Sequence, residues 1–235
     1  MKAFTFNMPA KIYFGAGVSK DLSELTRRFN ADKVMLVTDR VIGNTKGFAA
    51  IAEGLEKNGI QAIVYDDTSP EPPVEAVDRA AAVMRTSGCQ MAVAVGGGSA
   101  IDSAKAMCML CTNEGSVRDY LFGGSRTIEN RPLPLVCVPT TAGSGSEVTA
   151  SSVISDPERG IKLSVTHEWL IPLAAVIDPV LHMDMPPVIT ASTGMDALTH
   201  AIEAYVSKNA EPLSDALALA AIRLIGQNIR TATYR

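Results

Sequence analysis

A run of three glycines between an apolar segment and a helical segment constrains the fold of this chain more than any other feature of its sequence. The residues at 94–105 read A-V-G-G-G-S-A-I-D-S-A-K. The preceding M-A-V-A-V at 91–95 does not alternate between apolar and polar positions, which is typical of a strand buried on both faces of a parallel sheet. A buried strand that leads through glycines into a helix predicts an α/β fold.

The same alternation of short strands and helices continues through the first 180 or so residues. Strands are predicted at 33–39, 61–66, 91–95, 134–141 and 174–179, and helices at 48–59, 74–85 and 100–110. This rhythm predicts a Rossmann-like, mostly parallel sheet with helices on both faces. Beyond residue 184 only helical patterns remain. We therefore expect an α/β domain at 1–184 and the start of an all-helical domain at 185–235.

Composition and charge exclude several classes of partner. The 235 residues are 47% hydrophobic and 20% charged, and the net charge of −4 gives no reason to expect nucleic acid or an anionic membrane. No apolar stretch is long enough for a signal peptide or a spanning helix. Cys108 and Cys111 form a C-x-x-C inside an apolar helical pattern with no second such pair, which favours buried, reduced thiols over a redox or zinc site. A cytoplasmic protein is the simplest expectation.

The glycine run has the features of a phosphate-binding loop. Glycines let backbone N–H groups approach an anion, and the N-terminus of the following helix adds its positive dipole end. The alternative is a tight turn, which usually needs one glycine rather than three. The loop is not a Walker A motif, because no G-K-[ST] closes it, and it does not follow the first predicted strand as the ordinary G-x-G-x-x-G fingerprint does.

A second loop, P-T-T-A-G-S-G-S-E-V-T at 139–149, follows the next predicted strand and offers several hydroxyl groups. It could be a plain polar surface loop, but two such loops at the carboxyl ends of neighbouring strands favour an extended, phosphate-bearing ligand such as a dinucleotide. Asp39 ends an earlier strand, where a carboxylate accepts hydrogen bonds from ribose hydroxyls and repels a 2′-phosphate. It therefore favours NAD over NADP, unless it only begins a turn.

The segment S-T-G-M-D-A-L-T-H-A-I-E-A-Y at 192–205 places Asp196 and His200 four residues apart, on one face of a predicted helix. Such a pair can supply one oxygen and one nitrogen ligand to a divalent metal. The alternative is the solvated polar face of an amphipathic helix. Two ligands do not complete a metal site, so further donors are needed.

Taken together, these motifs resemble those of the iron-containing (group III) alcohol dehydrogenases. The opening P-A-K-I-Y-F-G-A-G, the two loops, the lysine of R-G-I-K-L-S, the I-D-P strand end and G-M-D-A-L-T-H-A-I-E-A-Y come in that family's order. The resemblance implies an N-terminal α/β domain that binds NAD(P) and a helical C-terminal domain, with a metal in the cleft. The implied cofactor-binding residues are Asp39, Gly97, Gly98, Ser99, Asp102 (near the nicotinamide), Thr140, Thr141, Ser144 and Lys162. Asp196 and His200 are the implied catalytic metal ligands, whereas Lys105 is expected only to flank its helix.

The resemblance further implies an oxidoreductase that transfers hydride between a small alcohol, or its aldehyde or ketone, and NAD. The implied metal is Fe²⁺, and the donor types also suit Zn²⁺. We also expect a homodimer or a higher homo-oligomer. Family members run well beyond 235 residues and carry two further histidine ligands there, so the chain resembles about the first three-fifths of such an enzyme. The alternatives are a non-catalytic nucleotide-binding fragment and another member of the glycerol dehydrogenase or dehydroquinate synthase-like fold.

Overall fold

The computed structural model describes residues 3–5 and 10–234. They form two compact units. The larger unit comprises residues 10–140 and 146–181, and the smaller unit comprises residues 3–5, 141–145 and 182–234. Each unit is described by itself below.

The larger unit is built on a parallel sheet. Eight strands are present in the described residues: β1 (Lys11–Phe14), β2 (Lys33–Val37), β3 (Gln61–Tyr65), β4 (Met91–Gly96), β5 (Leu135–Pro139), β6 (Ser151–Asp156), β7 (Ile161–Thr166) and β8 (Ala174–Ile177). Six of them pair in parallel in the order β1-β8-β5-β4-β2-β3, while β6 and β7 form a separate antiparallel hairpin. The prediction of a mostly parallel α/β sheet is confirmed.

Helices cover both faces of this sheet. They are α1 (Leu22–Arg27), α2 (Arg40–Gly43), α3 (Lys46–Lys57), α4 (Val74–Ser87) and α5 (Gly98–Leu110). Successive residues of a strand point to opposite faces, so β2 contributes Val34 and Leu36 to one core, with residues of α1 and α3. It contributes Met35 and Val37 to the other core, with residues of α4 and α5.

The helix ends follow local sequence signals. The Thr45 side chain accepts a hydrogen bond from the Phe48 backbone N–H and so begins α3. Gly88 ends α4 with a φ of +70°, a left-handed conformation that residues with a Cβ rarely adopt. These signals explain why the predicted helices were placed correctly to within a few residues.

Several structural elements were not predicted from the sequence. Among them are the short helices α1 and α2 and the edge strand β1, whose four to six residues are too few to show a clear period. Another is the β6–β7 hairpin, whose alternating S-S-V-I-S-D and I-K-L-S-V-T flank the turn residues P-E-R-G. Alternating strands around such turn residues are typical of a β-hairpin, so this element could have been predicted from the sequence.

The smaller unit contains two long helices, α6 (Pro187–Val206) and α7 (Pro212–Thr233). Both begin with proline in the first turn, and the Glu211 carboxylate caps α7 by accepting the backbone N–H groups of Leu213 and Ser214. Many of their large apolar side chains are exposed, including Val188, Ile189, Met195, Ile202, Tyr205, Leu217, Leu219 and Leu224. In the described part of the chain, no helix has the length and apolar character needed to cross a membrane.

The four cysteines are free thiols, and Cys89, Cys108 and Cys137 are buried. The prediction of two buried thiols in the C-x-x-C holds for Cys108, whereas Cys111 is half-buried. Burial raises the pKa of the Cys108 thiol well above its ordinary value and that of Cys111 to about 11, so both remain protonated at neutral pH.

Candidate functional site

The order of the sheet places a topological switch point between β2 and β4. From β2 the chain runs through α3 to β3 on one side. It then returns through α4 to β4 and continues through α5 to β5 on the other side. The helices change face at the same point. In open parallel sheets such a reversal leaves a crevice at the carboxyl ends of the two strands, and ligands bind there.

The two motifs that flank this crevice are Asp39, after β2, and the glycine run that ends β4. The Oδ2 atom of Asp39 lies 3.9 Å from the position that a Cβ would occupy on Gly96. A Cβ there would also stand 2.8 Å from the Cβ of Ala100, so only glycine lets α5 turn back so closely on its strand.

The N-terminus of α5 is open to a ligand. Gly97 is its N-cap residue, and no side chain within the described ranges caps it. Gly97, Gly98 and Ser99 are all partly exposed. The first N–H groups of a 13-residue helix therefore point out of the sheet edge beside Asp39, in the arrangement that binds phosphate groups.

Asp39 is held in one orientation by its own helix. Its Oδ1 atom accepts the backbone N–H groups of Val41 and Ile42, at 2.8 and 3.0 Å, and so caps α2. Capping occupies one carboxylate oxygen and directs the other toward the glycine run. The turn role and the predicted ribose role are therefore compatible.

Thr140 follows β5 at the same edge of the sheet. Its backbone N–H donates to the Gly96 carbonyl at 3.0 Å, which joins the two predicted cofactor loops. The residue is 5% exposed, yet its Oγ1 atom is buried and has no hydrogen-bond partner among the residues that the structure describes. A buried hydroxyl without a partner is costly, and a ligand that bonds to it would remove that cost.

Lys162 lies on β7, and its ammonium group is 2.6 Å from the Glu71 carboxylate. Glu71 has a φ of +54°, which is uncommon for a residue with a side chain. The sequence reasoning did not single out Glu71. The resemblance implies a ribose contact for Lys162, and the structure adds a carboxylate partner beside it.

The prediction that Lys105 only flanks its helix is wrong. The side chain is completely buried, and its ammonium group donates hydrogen bonds to residues 149 and 151. Asp102, which the resemblance places near the nicotinamide, has its carboxylate bonded to Ser146 and Val153. The sequence held one indication that these two side chains are buried. The aspartate and the lysine stand inside the otherwise apolar pattern A-I-D-S-A-K-A-M-C-M-L.

In the smaller unit, α6 brings Asp196 and His200 to one side, with 4.0 Å between Asp196 Oδ1 and His200 Nε2. Both side chains are about half exposed, at 49% and 52%. The Nδ1 atom of His200 lies 3.2 Å from the Gly143 carbonyl oxygen. Because a carbonyl can only accept, the neutral imidazole carries its proton on Nδ1 and leaves the Nε2 lone pair free beside the carboxylate.

The segment 141–145 packs against this helix. A Cβ on Gly143 would lie 2.7 Å from the Thr193 carbonyl oxygen and 3.1 Å from Asp196 Oδ2, so glycine is required for the contact. Thr141 is half-buried and Ser144 is exposed in the same segment. The loop predicted to line the cofactor cleft therefore touches the two predicted metal ligands.

These donors suit a divalent metal in chemistry and in orientation. A metal-binding histidine usually donates its second ring N–H to a backbone carbonyl or a carboxylate, as His200 does here. Asp196 and His200 supply two donors, and the described ranges hold no cluster of three or more His, Cys, Asp or Glu side chains arranged for a metal ion.

Comparison with known proteins decides the family. Residues 9–179 match the sequence profile described as "Iron-containing alcohol dehydrogenase". The chain belongs to the iron-containing alcohol dehydrogenase family. Residues 190–235 match the profile described as "Fe-containing alcohol dehydrogenase family, C-terminal". The motif-based recognition of this family is confirmed.

Named members of this family are similar to the chain in sequence and in structure. Long-chain-alcohol dehydrogenase 1 of Geobacillus thermodenitrificans is 43% identical over 95% of this chain and 56% of its own length. The NAD-dependent methanol dehydrogenase of Bacillus methanolicus is 35% identical over 97% of this chain and 59% of its own. The structure of sulfoacetaldehyde reductase from Bifidobacterium kashiwanohense in complex with NAD⁺ superposes with a TM-score of 0.94 at 33% identity, covering 99% of this chain and 61% of that one. The chain thus spans about three-fifths of the length of these relatives.

Proposed function

We propose that this protein is an NAD-dependent and metal-dependent alcohol dehydrogenase that interconverts a small alcohol and its aldehyde or ketone by hydride transfer. The observation that carries the proposal is the hydrogen bond between His200 Nδ1 and the Gly143 carbonyl. It joins the loop assigned to the cofactor cleft to the imidazole assigned to the metal. Hydride transfer requires cofactor and metal to be held side by side.

We assign residues 1–184 to the dinucleotide-binding domain and residues 185–235 to the helical metal-binding domain. In the first, the N–H groups of Gly97, Gly98 and Ser99 bind the diphosphate at the N-terminus of α5. The free oxygen of Asp39 accepts ribose hydroxyls, and the unpartnered hydroxyl of Thr140 bonds to the cofactor. Thr141, Ser144 and Lys162 complete the cofactor contacts.

When bound, Fe²⁺ or Zn²⁺ supplies a Lewis acid for the substrate oxygen and NAD supplies the hydride acceptor. The protein supplies the orientation. Asp196 Oδ1 and His200 Nε2 present their lone pairs to one side of α6, and Gly143 fixes the histidine tautomer that makes this possible.

The experiment measures binding and turnover separately. Calorimetric titrations determine the NAD and NADP affinities, and the absorbance of the reduced nicotinamide follows oxidation of ethanol, 1,3-propanediol and glycerol with added Fe²⁺ or Zn²⁺. His200→Ala should abolish oxidation and change the NAD dissociation constant by no more than about twofold. The matched control is His167→Ala, because His167 Nδ1 only accepts the Trp169 backbone N–H.

A chain that binds neither NAD nor NADP contradicts the proposal, and so does an active His200→Ala variant. Turnover of glycerol in preference to the primary alcohols places the protein among glycerol dehydrogenase-like enzymes instead. A non-catalytic nucleotide-binding role is the second candidate. The described residues supply a donor set of two, whereas a catalytic metal normally has three protein ligands, and this observation favours the second candidate. NAD binding without metal retention or turnover is the result that supports it.

We also propose a homodimer or higher homo-oligomer and a cytoplasmic location. The edge strand β1 supports association, because it exposes Ile12 and Phe14 at 50% and 71%. Light scattering on the purified chain tests the first point. The four free thiols support a reducing compartment.

A further inference from the structure

The end of β2 carries two neighbouring residues with opposite effects on a phosphate group. Asp39 directs its free carboxylate oxygen toward the glycine run, and Arg40 follows it as the first residue of α2. In dinucleotide-binding folds, an acidic residue near the adenosine ribose selects NAD, whereas a nearby arginine accommodates the 2′-phosphate of NADP. This chain has both types of residue side by side, so its cofactor preference also depends on what the Arg40 guanidinium binds.

The partner of Arg40 is Asp67, in the segment that follows β3. The Arg40 Nη2 atom lies 2.7 Å from Asp67 Oδ1. The backbone fixes this position, because Asp39 and Asp67 are paired in an isolated antiparallel bridge. Thr68 adds two hydrogen bonds to the Thr38 carbonyl, from its backbone N–H at 3.3 Å and from its hydroxyl at 2.7 Å.

The ion pair is exposed to solvent, with 76% of the Arg40 side chain and 66% of the Asp67 side chain accessible. An ion pair this exposed contributes little to stability, so the fold does not depend on it. It still determines which anion the guanidinium contacts, because the Asp67 carboxylate competes with any phosphate that approaches Arg40. Loss of Asp67 would leave Arg40 free beside the predicted ribose site.

We propose that Asp67 is a second specificity-determining residue for the cofactor, which favours NAD over NADP by binding the Arg40 guanidinium and withholding it from a 2′-phosphate. This inference rests on the proposed function, because it takes the adenosine ribose to lie at Asp39. Asp39 acts on the ribose directly, whereas Asp67 acts through Arg40. NAD has no 2′-phosphate, so its affinity does not depend on this competition.

The test variant is Asp67→Ala, which removes the carboxylate and leaves the backbone bridge in place. We expect it to lower the NADP dissociation constant about fivefold or more and to change that of NAD by no more than about twofold. Calorimetric titrations with NAD and NADP measure both values. The titrations are repeated in an Asp39→Ser background, where the hydroxyl can still cap α2 but the carboxylate that repels a phosphate is absent.

The matched control is Asp66→Ala, which removes the same charge one residue earlier in the chain. Asp66 is exposed, and it has no ion-pair partner among the residues that the structure describes. Its side chain lies beside α2, where a Cβ on Gly43 would stand 3.6 Å from the Asp66 Cβ. Asp66→Ala leaves the Arg40–Asp67 pair intact and should change the NADP affinity less than twofold.

The second control is Arg40→Gln, which removes the guanidinium charge. In this background Asp67→Ala should no longer increase NADP affinity, because no cation is released. An equal gain with and without Arg40, or an equal gain in Asp66→Ala, overturns the inference, since net charge alone then accounts for the effect. Unchanged NADP affinity of Asp67→Ala in both the wild-type and Asp39→Ser backgrounds also overturns it. Failure of the wild type to bind either cofactor is instead a failure of the proposed function.

Discussion

Replacing Gly143 by alanine tests the coupling between the cofactor loop and the metal ligands. The added Cβ would stand 2.7 Å from the Thr193 carbonyl oxygen, so the loop has to retreat by roughly 0.7 Å to restore an ordinary contact. The bond from His200 Nδ1 to the Gly143 carbonyl already spans 3.2 Å and would be lost. Losing such an outer-shell partner typically lowers metal affinity by about 10–100-fold.

Nitrogen-detected NMR of the histidine rings shows directly which ring nitrogen of the neutral imidazole carries the proton. In the wild type, His200 should carry its proton on Nδ1, because it faces a carbonyl. His167 should carry its proton on Nε2, because its Nδ1 accepts the Trp169 N–H at 3.1 Å. Gly143→Ala should shift His200 toward the Nε2–H form, leave His167 unchanged, and weaken Zn²⁺ binding in calorimetry.

The matched control is Gly226→Ala in α7, where an added Cβ meets nothing within 4 Å. Gly226→Ala should raise the free energy of unfolding of the smaller unit by about 0.5–1 kcal/mol and leave the tautomer of His200 unchanged. An unchanged tautomer and Zn²⁺ affinity in Gly143→Ala would refute the assignment of Gly143 as the residue that orients the metal ligand.

Three further predictions concern the larger unit. NAD should bind more tightly than NADP, and Asp39→Gly should narrow the difference; equal affinities in the wild type remove Asp39 from the cofactor site. Gly97→Val should lower NAD affinity on the order of 100-fold, because a branched side chain occupies the diphosphate position; unchanged binding makes the loop a turn only. Burial tends to raise the pKa of Asp178, but hydrogen bonds from Ser19, Gly17 and Val180 outweigh it and leave the pKa below its ordinary value of 3.8. Asp178→Asn should therefore cost about 2–3 kcal/mol of unfolding free energy at neutral pH, and this deficit should shrink as the pH falls below 3.8 through the lower folded value. A deficit that stays constant in acid contradicts the role of the ionised carboxylate.

Local patterns were enough to predict most of the helices and strands. An apolar run such as M-A-V-A-V can bury all its side chains only in a sheet that is covered on both faces. Glycine is needed at a strand–helix junction because residues nearby in the sequence leave no room there for a Cβ. Asp196 and His200 share a helix, so their common face follows from the helical period alone. The motifs of the family are likewise short stretches of sequence, so the family could be recognised from them without the structure.

Only the tertiary structure decided how the strands are ordered and what the distant residues contact. β2 and β4 are adjacent in the sheet, and this adjacency places Asp39 beside the glycine run. It depends on the crossover connections between strands, which the periodicity of a short segment does not reveal. Asp178 binds Gly17 across 161 residues, and Lys105 reaches oxygens 44 and 46 residues away. A lysine in a sequence is ordinarily a surface residue, because burying its charge is expensive. It becomes a core residue only when the folded chain brings three oxygens to its ammonium group, and that arrangement exists in three dimensions alone.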